Sequence, residues 1–212
     1  MPGTPRYRGL RRTANRTALL QAAEELFGAR PFAAVSVDDI VARAGVAKGT
    51  FYNHFADKED LAANLALAIR HAVRDRIGAI KTQSADPAMH LAIAVTLFLD
   101  LALVQPNRAL ILVNLLTGAT DTAASMNSPL RATLEAGQEQ GRFKIDNVEI
   151  ALLAVLGIVS VAIRSIVDQR IKYYRPPIIE FVMHTLAAVN LTSPEKQLEI
   201  ATAAADIVFA EV

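Results

Sequence analysis

An all-α protein is the fold class this chain predicts, and three observations carry it. Ala, Leu, Ile and Val recur at three- and four-residue spacing through most of the 212 residues. No convincing hairpin dipeptide interrupts them. Proline, glycine and capping side chains punctuate the pattern at regular intervals, as helix starts and stops do. About ten helices and no strands are expected, with no fixed-period repeat and no low-complexity segment.

Leu19, Ala22, Ala23, Leu26 and Phe27 form one apolar stripe, which places a first helix over about Thr13 to Arg30, ended by Pro31. Ser36 with Asp39 makes a capping box for a second helix, with Ile40 and Val41 facing inward and Gly45 as its left-handed stop. A third, short helix follows over about Ala47 to Phe55. Asp57 and Asp60 start a fourth that can run to about Lys81, striped by Leu61, Leu65, Ile69, Val73, Ile77 and Ile80. Asp86-Pro87 opens a helix to about Val104, and another runs from there to Thr117, stopping at Gly118. Ser128-Pro129 opens the next, closed by Gly141. Asp146 and Glu149 read as a second capping box, starting an apolar helix to about Asp168. Arg175-Pro176-Pro177 precedes one that ends near Asn190, and Ser193-Pro194 opens the last.

Composition narrows the function classes. Hydrophobic residues make up 52% and charged residues 20%, a globular balance. A net charge of +1 is too small to point to nucleic acid by itself. Its distribution says more: Arg6, Arg8, Arg11, Arg12 and Arg16 precede the first acid. Such an arm attracts phosphate, although a solvated tail has the same composition. The chain has no cysteine, which excludes disulfides, thiolate catalysis and Cys-ligated zinc. Met1 to Leu10 lacks the apolar core of a signal peptide. The apolar run Ile150 to Ile163 is shorter than the roughly 20 residues of a spanning helix. A soluble, cytoplasmic protein with no membrane partner is expected. His90 and His184 have no metal-like spacing with carboxylates, and neither metal nor other cofactor is expected.

The densest chemistry lies in "VAKGTFYNHFADKEDL", residues 46–61. Two short helices joined by a glycine-containing turn make a helix-turn-helix, whose second helix enters the DNA major groove. Lys48 can donate to guanine or phosphate, and Thr50 can bond a base edge or touch a thymine methyl. Gly49 allows close backbone approach. Tyr52 and His54 can donate to phosphate. Phe51 and Phe55 share a face and anchor the helix. Lys58 sits in the first turn of a helix, where the dipole disfavours a cation, and a phosphate there would explain it.

The stretch "SVDDIVARAGVAKGTFYNHFADKEDL" strongly resembles the DNA-binding domain of the TetR family of transcriptional regulators, over about Thr13 to Leu65. "EAGQEQGRFKIDNVEIAL" resembles the lead into the family's long eighth helix. The resemblance implies an N-terminal DNA-binding domain (residues 1–57) and an all-helical effector-binding and dimerisation domain (residues 58–212). It also implies a bacterial or archaeal source. By position, Lys48, Gly49 and Thr50 would face the groove. Tyr52, His54 and Lys58 would touch phosphate, and Ser36 and Val37 would lie against the backbone. Where the family often has Ser or Thr, this chain has Ala47, which cannot cap the recognition helix.

A single short helix reads few base pairs, and a two-fold dimer reads two half-sites. Leu153, Gly157, Ser160, Val161, Phe181, Val182 and Thr185 are the expected homodimer surface. Residues 86–140 are expected to enclose a pocket for a small hydrophobic effector, lined by Met89, Ile93, Leu97, Phe98, Leu101, Leu112, Leu115 and Leu116, with Asp100 and Asn114 as polar anchors. The expected function is a ligand-responsive repressor acting on a palindromic double-stranded DNA operator. An activator of the same fold, or a helical small-molecule-binding protein without a DNA role, is the alternative. No nucleophile–base pair with interpretable spacing argues for an enzyme.

Overall fold

The computed structural model describes residues 5–80, 85–116, 127–169, 175–191 and 193–210, and among them ten α-helices and no strand. The chain divides into two compact units, Met1–Ile69 and Arg70–Val212.

In the first unit, α1 (Pro5–Ala29) packs on α2 (Val37–Ala44) and α3 (Lys48–Tyr52), which also pack on each other. The helix α4 (Lys58–Ala79) starts in this unit and runs past its end. The core is built from Leu19, Ala23, Phe27, Ile40, Phe51, Phe55, Leu61 and Leu65, all at most 5% exposed. Leu61, Ala62, Leu65 and Ala66 of α4 are all buried, and the first compact unit runs past residue 57 to Ile69. Two further differences from the sequence reading appear here. Helix α1 begins at Pro5, so the arginine-rich arm is helical. A one-turn 3-10 helix, Phe32–Ala34, fills the gap before α2.

In the second unit, α5 (Pro87–Val104) is the central element. It packs against α6 (Pro106–Leu116), α7 (Ser128–Glu139), α8 (Val148–Val167), α9 (Arg175–Ala188) and α10 (Pro194–Phe209). Leu91, Ile93, Val95, Leu97 and Leu99 are therefore buried around its circumference. Its two buried polar members are satisfied. The Thr96 hydroxyl donates to the Ala92 carbonyl at 2.8 Å, and Asp100 accepts from Arg76 of α4 at 2.5 Å.

The termini follow local chemistry. Asp86 caps α5 through the Ala88 N–H at 2.9 Å, with Pro87 in the first turn. Both Asp86 oxygens also accept from Arg142, at 2.9 and 2.7 Å, stapling the start of α5 to the turn after α7. That turn has Gly141 at φ 64° and folds Phe143 onto Gly137. Ser193 caps α10. Helix α7 opens at Ser128-Pro129, as expected. Two other boundaries shift. Asn147, not Asp146, caps α8, its side chain accepting from the Glu149 and Ile150 N–H groups. Arg175-Pro176-Pro177 forms the first turn of α9 instead of preceding it, as proline allows there. The expected ends at Lys81 and at Thr117-Gly118 lie outside the described residues.

Helix α8 corrects another expectation. At 20 residues it has the length and apolarity to cross a bilayer, and so does α5. Both pack against other helices of the second unit, 61% of the residues buried in α5 and 33% in α8, whose remaining apolar face is exposed.

Candidate nucleic-acid interface

Local sequence builds the helix-turn-helix. The Ser36 hydroxyl accepts from the Asp39 N–H at 3.1 Å, and Asp39 accepts from the Ser36 N–H at 2.9 Å. This is the reciprocal box expected from the sequence. The bonds from Ser36 hold the Asp39 carboxyl below the usual range, with Arg30 adding to the effect. Gly45 closes α2 at φ 66°, its N–H reaching the Ala42 and Val41 carbonyls while Val46 N–H returns to Val41 at 3.1 Å. No atom would block a side chain at Gly45. The left-handed backbone is what requires glycine there.

Helix α3 ends at Tyr52, earlier than the expected Phe55. Its bonding tightens as His54 N–H reaches back only three residues, to Phe51. Two ring anchors hold this one-turn element. Phe51 is fully buried, 5.3 Å from the Tyr52 ring and 5.8 Å from Phe55. Anchoring Phe51 inward turns Lys48, Gly49 and Tyr52 out to solvent, while Thr50 and His54 are half-buried. Ser36 is exposed and Val37 half-buried at the start of α2. Ala47 makes no side-chain cap bond, as its methyl dictates.

Two groups have partners that the sequence reading did not foresee. The Lys58 ammonium donates to the carbonyls of Phe32 and Val35, both at 2.9 Å, and lies 4.3 Å over the Phe32 ring. A cation at this helix start is explained by the carbonyls closing the 3-10 turn. Lys48 in turn is paired with Asp38 of α2 at 2.8 Å, which raises its pKa. Sequence reasoning missed Asp38, because two exposed residues ten apart carry no signal until the glycine turn brings α2 and α3 together. Burial, reinforced by the charges of Arg12 and Arg16, holds the His54 imidazole below its ordinary range.

The other expected sites divide. On α8, Leu153, Gly157 and Val161 are exposed at positions sharing one face, continued at its start by Ile150, which is 67% exposed. Ser160, Val182 and Thr185 do not belong to that surface. They are buried within their own unit, and the Thr185 hydroxyl donates to the Phe181 carbonyl at 2.9 Å. Phe181 is half-buried.

Of the expected pocket residues, Ile93, Leu97, Asp100 and Leu101 are buried on α5, and Leu112 on α6. Met89, Phe98 and Asn114 are half-buried. The side chains of Leu115 and Leu116 lie outside the described residues. Both polar anchors are engaged, Asp100 by Arg76 and Asn114 by Arg164 of α8 at 2.8 Å. A cavity of about 320 Å³ lies elsewhere, between α1 and α2, lined by Ala18, Gln21, Ala22, Glu25, Arg43 and Ala44. It is a solvent-facing groove crossed by the Glu25–Arg43 ion pair, not an apolar enclosure. Among the described residues, no cluster of three His, Asp or Glu could hold a metal ion.

Comparison with known proteins falls on the same residues. Residues 19–65 match the family model of bacterial regulatory proteins, tetR family. The HTH-type transcriptional regulator EthR of Mycobacterium tuberculosis is 38% identical over 71 residues, 34% of this chain and 32% of that protein. EthR of Mycolicibacterium smegmatis is 31% identical over 101 residues, 46% of each. The matches thus span from about a third to about half of these curated relatives' length. Among solved structures, RolR without ligand superposes with a TM-score of 0.64 at 24% identity, covering 88% of this chain and 96% of that one. A gamma-butyrolactone receptor (ArpA-like protein) gives 0.60 at 20% identity, covering 95% and 99%. These two show the fold. Residues 19–65 thus match the tetR family of bacterial regulatory proteins by sequence, and the helices of the chain as a whole match these two solved structures by fold.

Proposed function

We propose that this chain is a sequence-specific transcriptional regulator, a homodimer that represses from a palindromic operator in the bacterial cytoplasm and is released by a small hydrophobic effector. One observation carries the DNA-binding part: a helix-turn-helix in which buried Phe51 turns Lys48, Gly49 and Tyr52 outward beside half-buried Thr50. Those residue types suit base edges and phosphates in a major groove. Ser36, Val37 and His54 flank them. The likeness to EthR, a transcriptional regulator, supports this reading.

The exposed apolar face of α8, Leu153-Gly157-Val161, is the dimer surface in this reading, with Phe181 at its margin. Dimerisation supplies the second half-site that one-turn α3 needs. The effector part is supported by a RolR structure in complex with its ligand resorcinol. In this chain the effector would lodge against α5 and α6, near Met89, Phe98 and Asn114, loosening the apolar packing of Ile93, Leu97 and Leu101. Asp100 bonds to Arg76 on α4, and α4 carries core residues of both units. An effector that competes for that carboxylate acts on a helix shared with the DNA-binding unit. Coupling of 1–3 kcal/mol would lower operator affinity about 5- to 150-fold.

The test is selection of genomic fragments by the purified protein, followed by footprinting at fixed salt. A protected, near-palindromic site is expected. Lys48→Ala with Tyr52→Ala should abolish protection while the melting temperature holds. General, salt-sensitive binding with no enriched site would overturn the reading.

A further inference from the structure

The cation that opens the recognition helix is already paired. Lys48 Nζ lies 2.8 Å from Oδ1 of Asp38, which stands in the first turn of α2. Both side chains stay open to solvent, 54% exposed at Lys48 and 70% at Asp38. An exposed pair of this kind adds little to stability. Nor does α2 need Asp38 for its cap, which Ser36 and Asp39 make between them. On a surface that meets phosphate, a carboxylate beside the lysine works against plain affinity, because it cancels the charge that would release counterions.

The pair does not treat all acceptors alike. A lysine ammonium has three N–H donors and no acceptor. Asp38 engages one of them, and the bond raises the Lys48 pKa, so the ammonium keeps its protons. Guanine offers two uncharged acceptors in the major groove, N7 and O6. They can take the remaining donors while Asp38 keeps its own. A phosphate oxygen is charged, and at Lys48 it would sit beside the Asp38 carboxylate. It must displace that carboxylate or bear its repulsion.

We infer that Asp38 is a specificity-determining residue, which holds Lys48 for base edges, withholds it from phosphate and so weakens binding to random sequence. The inference rests on the DNA-binding reading above. It adds to that reading an acid that discriminates through its lysine partner.

The full-length protein and its variants are titrated onto a random-sequence duplex and onto the footprinted site, each over a range of salt. Asp38→Asn keeps the shape of the side chain and drops its charge. It should melt with the parent, because the cap of α2 is untouched. Affinity for the random duplex should rise about two- to fivefold, the range of one exposed ion pair. Its slope of log K against log salt should steepen by up to about 0.9 as Lys48 gains a phosphate. The footprinted site should gain less, so the ratio of the two affinities falls. In a Lys48→Gln background, Asp38→Asn should lose most of its effect on the random duplex, as coupling between the two residues requires. Equal gains on both duplexes, or the same gain with Lys48 replaced, would make Asp38 a general surface charge and overturn the inference. Unchanged affinity for the random duplex would overturn it too, and a parent that still selects the footprinted site would leave the regulator reading standing. A parent protein that selects no site would sink both readings.

Discussion

Gly137 shows how much one hydrogen atom can decide. A Cβ there would lie 2.0 Å from Phe143, a ring that is itself buried. The ring has little room to swing away, because Phe143 is 2% exposed, and its N–H holds the backbone to the Gly137 carbonyl at 2.9 Å. Gly137→Ala should cost about 1–3 kcal/mol by overpacking, read as a lower urea midpoint. At Gly157, inside α8 with nothing within reach of a Cβ, the same change should raise the midpoint of the isolated chain, by about 0.5–1 kcal/mol of helix propensity. Asp86 gives a pH prediction. Its bond from Arg142, with the Ala88 N–H, holds its carboxyl below the ordinary range. A carboxylate depressed in the fold adds stability above its unfolded pKa of about 3.9 and loses it as pH falls through the folded value. Asp86→Asn keeps a capping side chain but not the charge. It should be less stable than the parent from pH 7 to about 5, with the gap closing at more acid pH. A gap that persists undiminished in acid would rule out the charge as its cause.

At the scale of the element, caps and clasps matter more than propensity. Helix α3 is one turn long, too short to persist alone. It lacks a side-chain cap at Ala47, and Ala47→Ser should add about 1 kcal/mol if the new hydroxyl caps the turn. Thermal melts would show a gain. An unchanged melt would mean that Phe51 and Phe55 already hold the turn as firmly as a cap could. Lys58 belongs to the element before it. Lys58→Met keeps the aliphatic stem but drops both carbonyl bonds, and should cost about 1–2 kcal/mol. Because its ammonium serves the 3-10 turn, the salt slope of DNA binding should hold. A drop near 0.9 would instead return Lys58 to the phosphate contacts. These elements were unequally legible. The capping box at Ser36, the glycine stop at Gly45 and the starts at Asp57 and Asp86 are local chemistry, written within four residues. The Lys58 clasp was not legible, since Phe32 and Val35 lie more than twenty residues away and the short 3-10 turn has no periodicity to announce it. Asp146 misled because a neighbouring asparagine holds the same capping chemistry one residue later.

Across the whole molecule, the question is which apolar faces are internal. Sequence alone marked both α8 and α9 as candidates for a dimer surface. Burial separates them: Val182 and Thr185 are inside, and Leu153 and Val161 are outside. In the proposed homodimer, Val161→Glu should therefore shift the protein from dimer to monomer in sedimentation, without the loss of secondary structure expected of Val182→Glu. If Val161→Glu remains a dimer, the α8 face is not the interface. With a monomer, operator affinity should fall, because half a site is read at a time.

What the sequence determined by itself was whatever rests on neighbours along the chain. That covers the all-helical class, most helix limits, the helix-turn-helix and the residue types offered to DNA. These follow from periodicity, caps and turn glycines, whose physics acts within about a turn. Only the tertiary structure decided which partner each exposed or buried charge meets. Asp38 with Lys48, Arg76 with Asp100, Lys58 with two carbonyls and Arg16 with Asn64 are pairings across elements. Only the fold, likewise, turned Ser160 inward and Val161 outward. Such pairings depend on how helices are packed in space, and spacing along a single chain leaves that packing open.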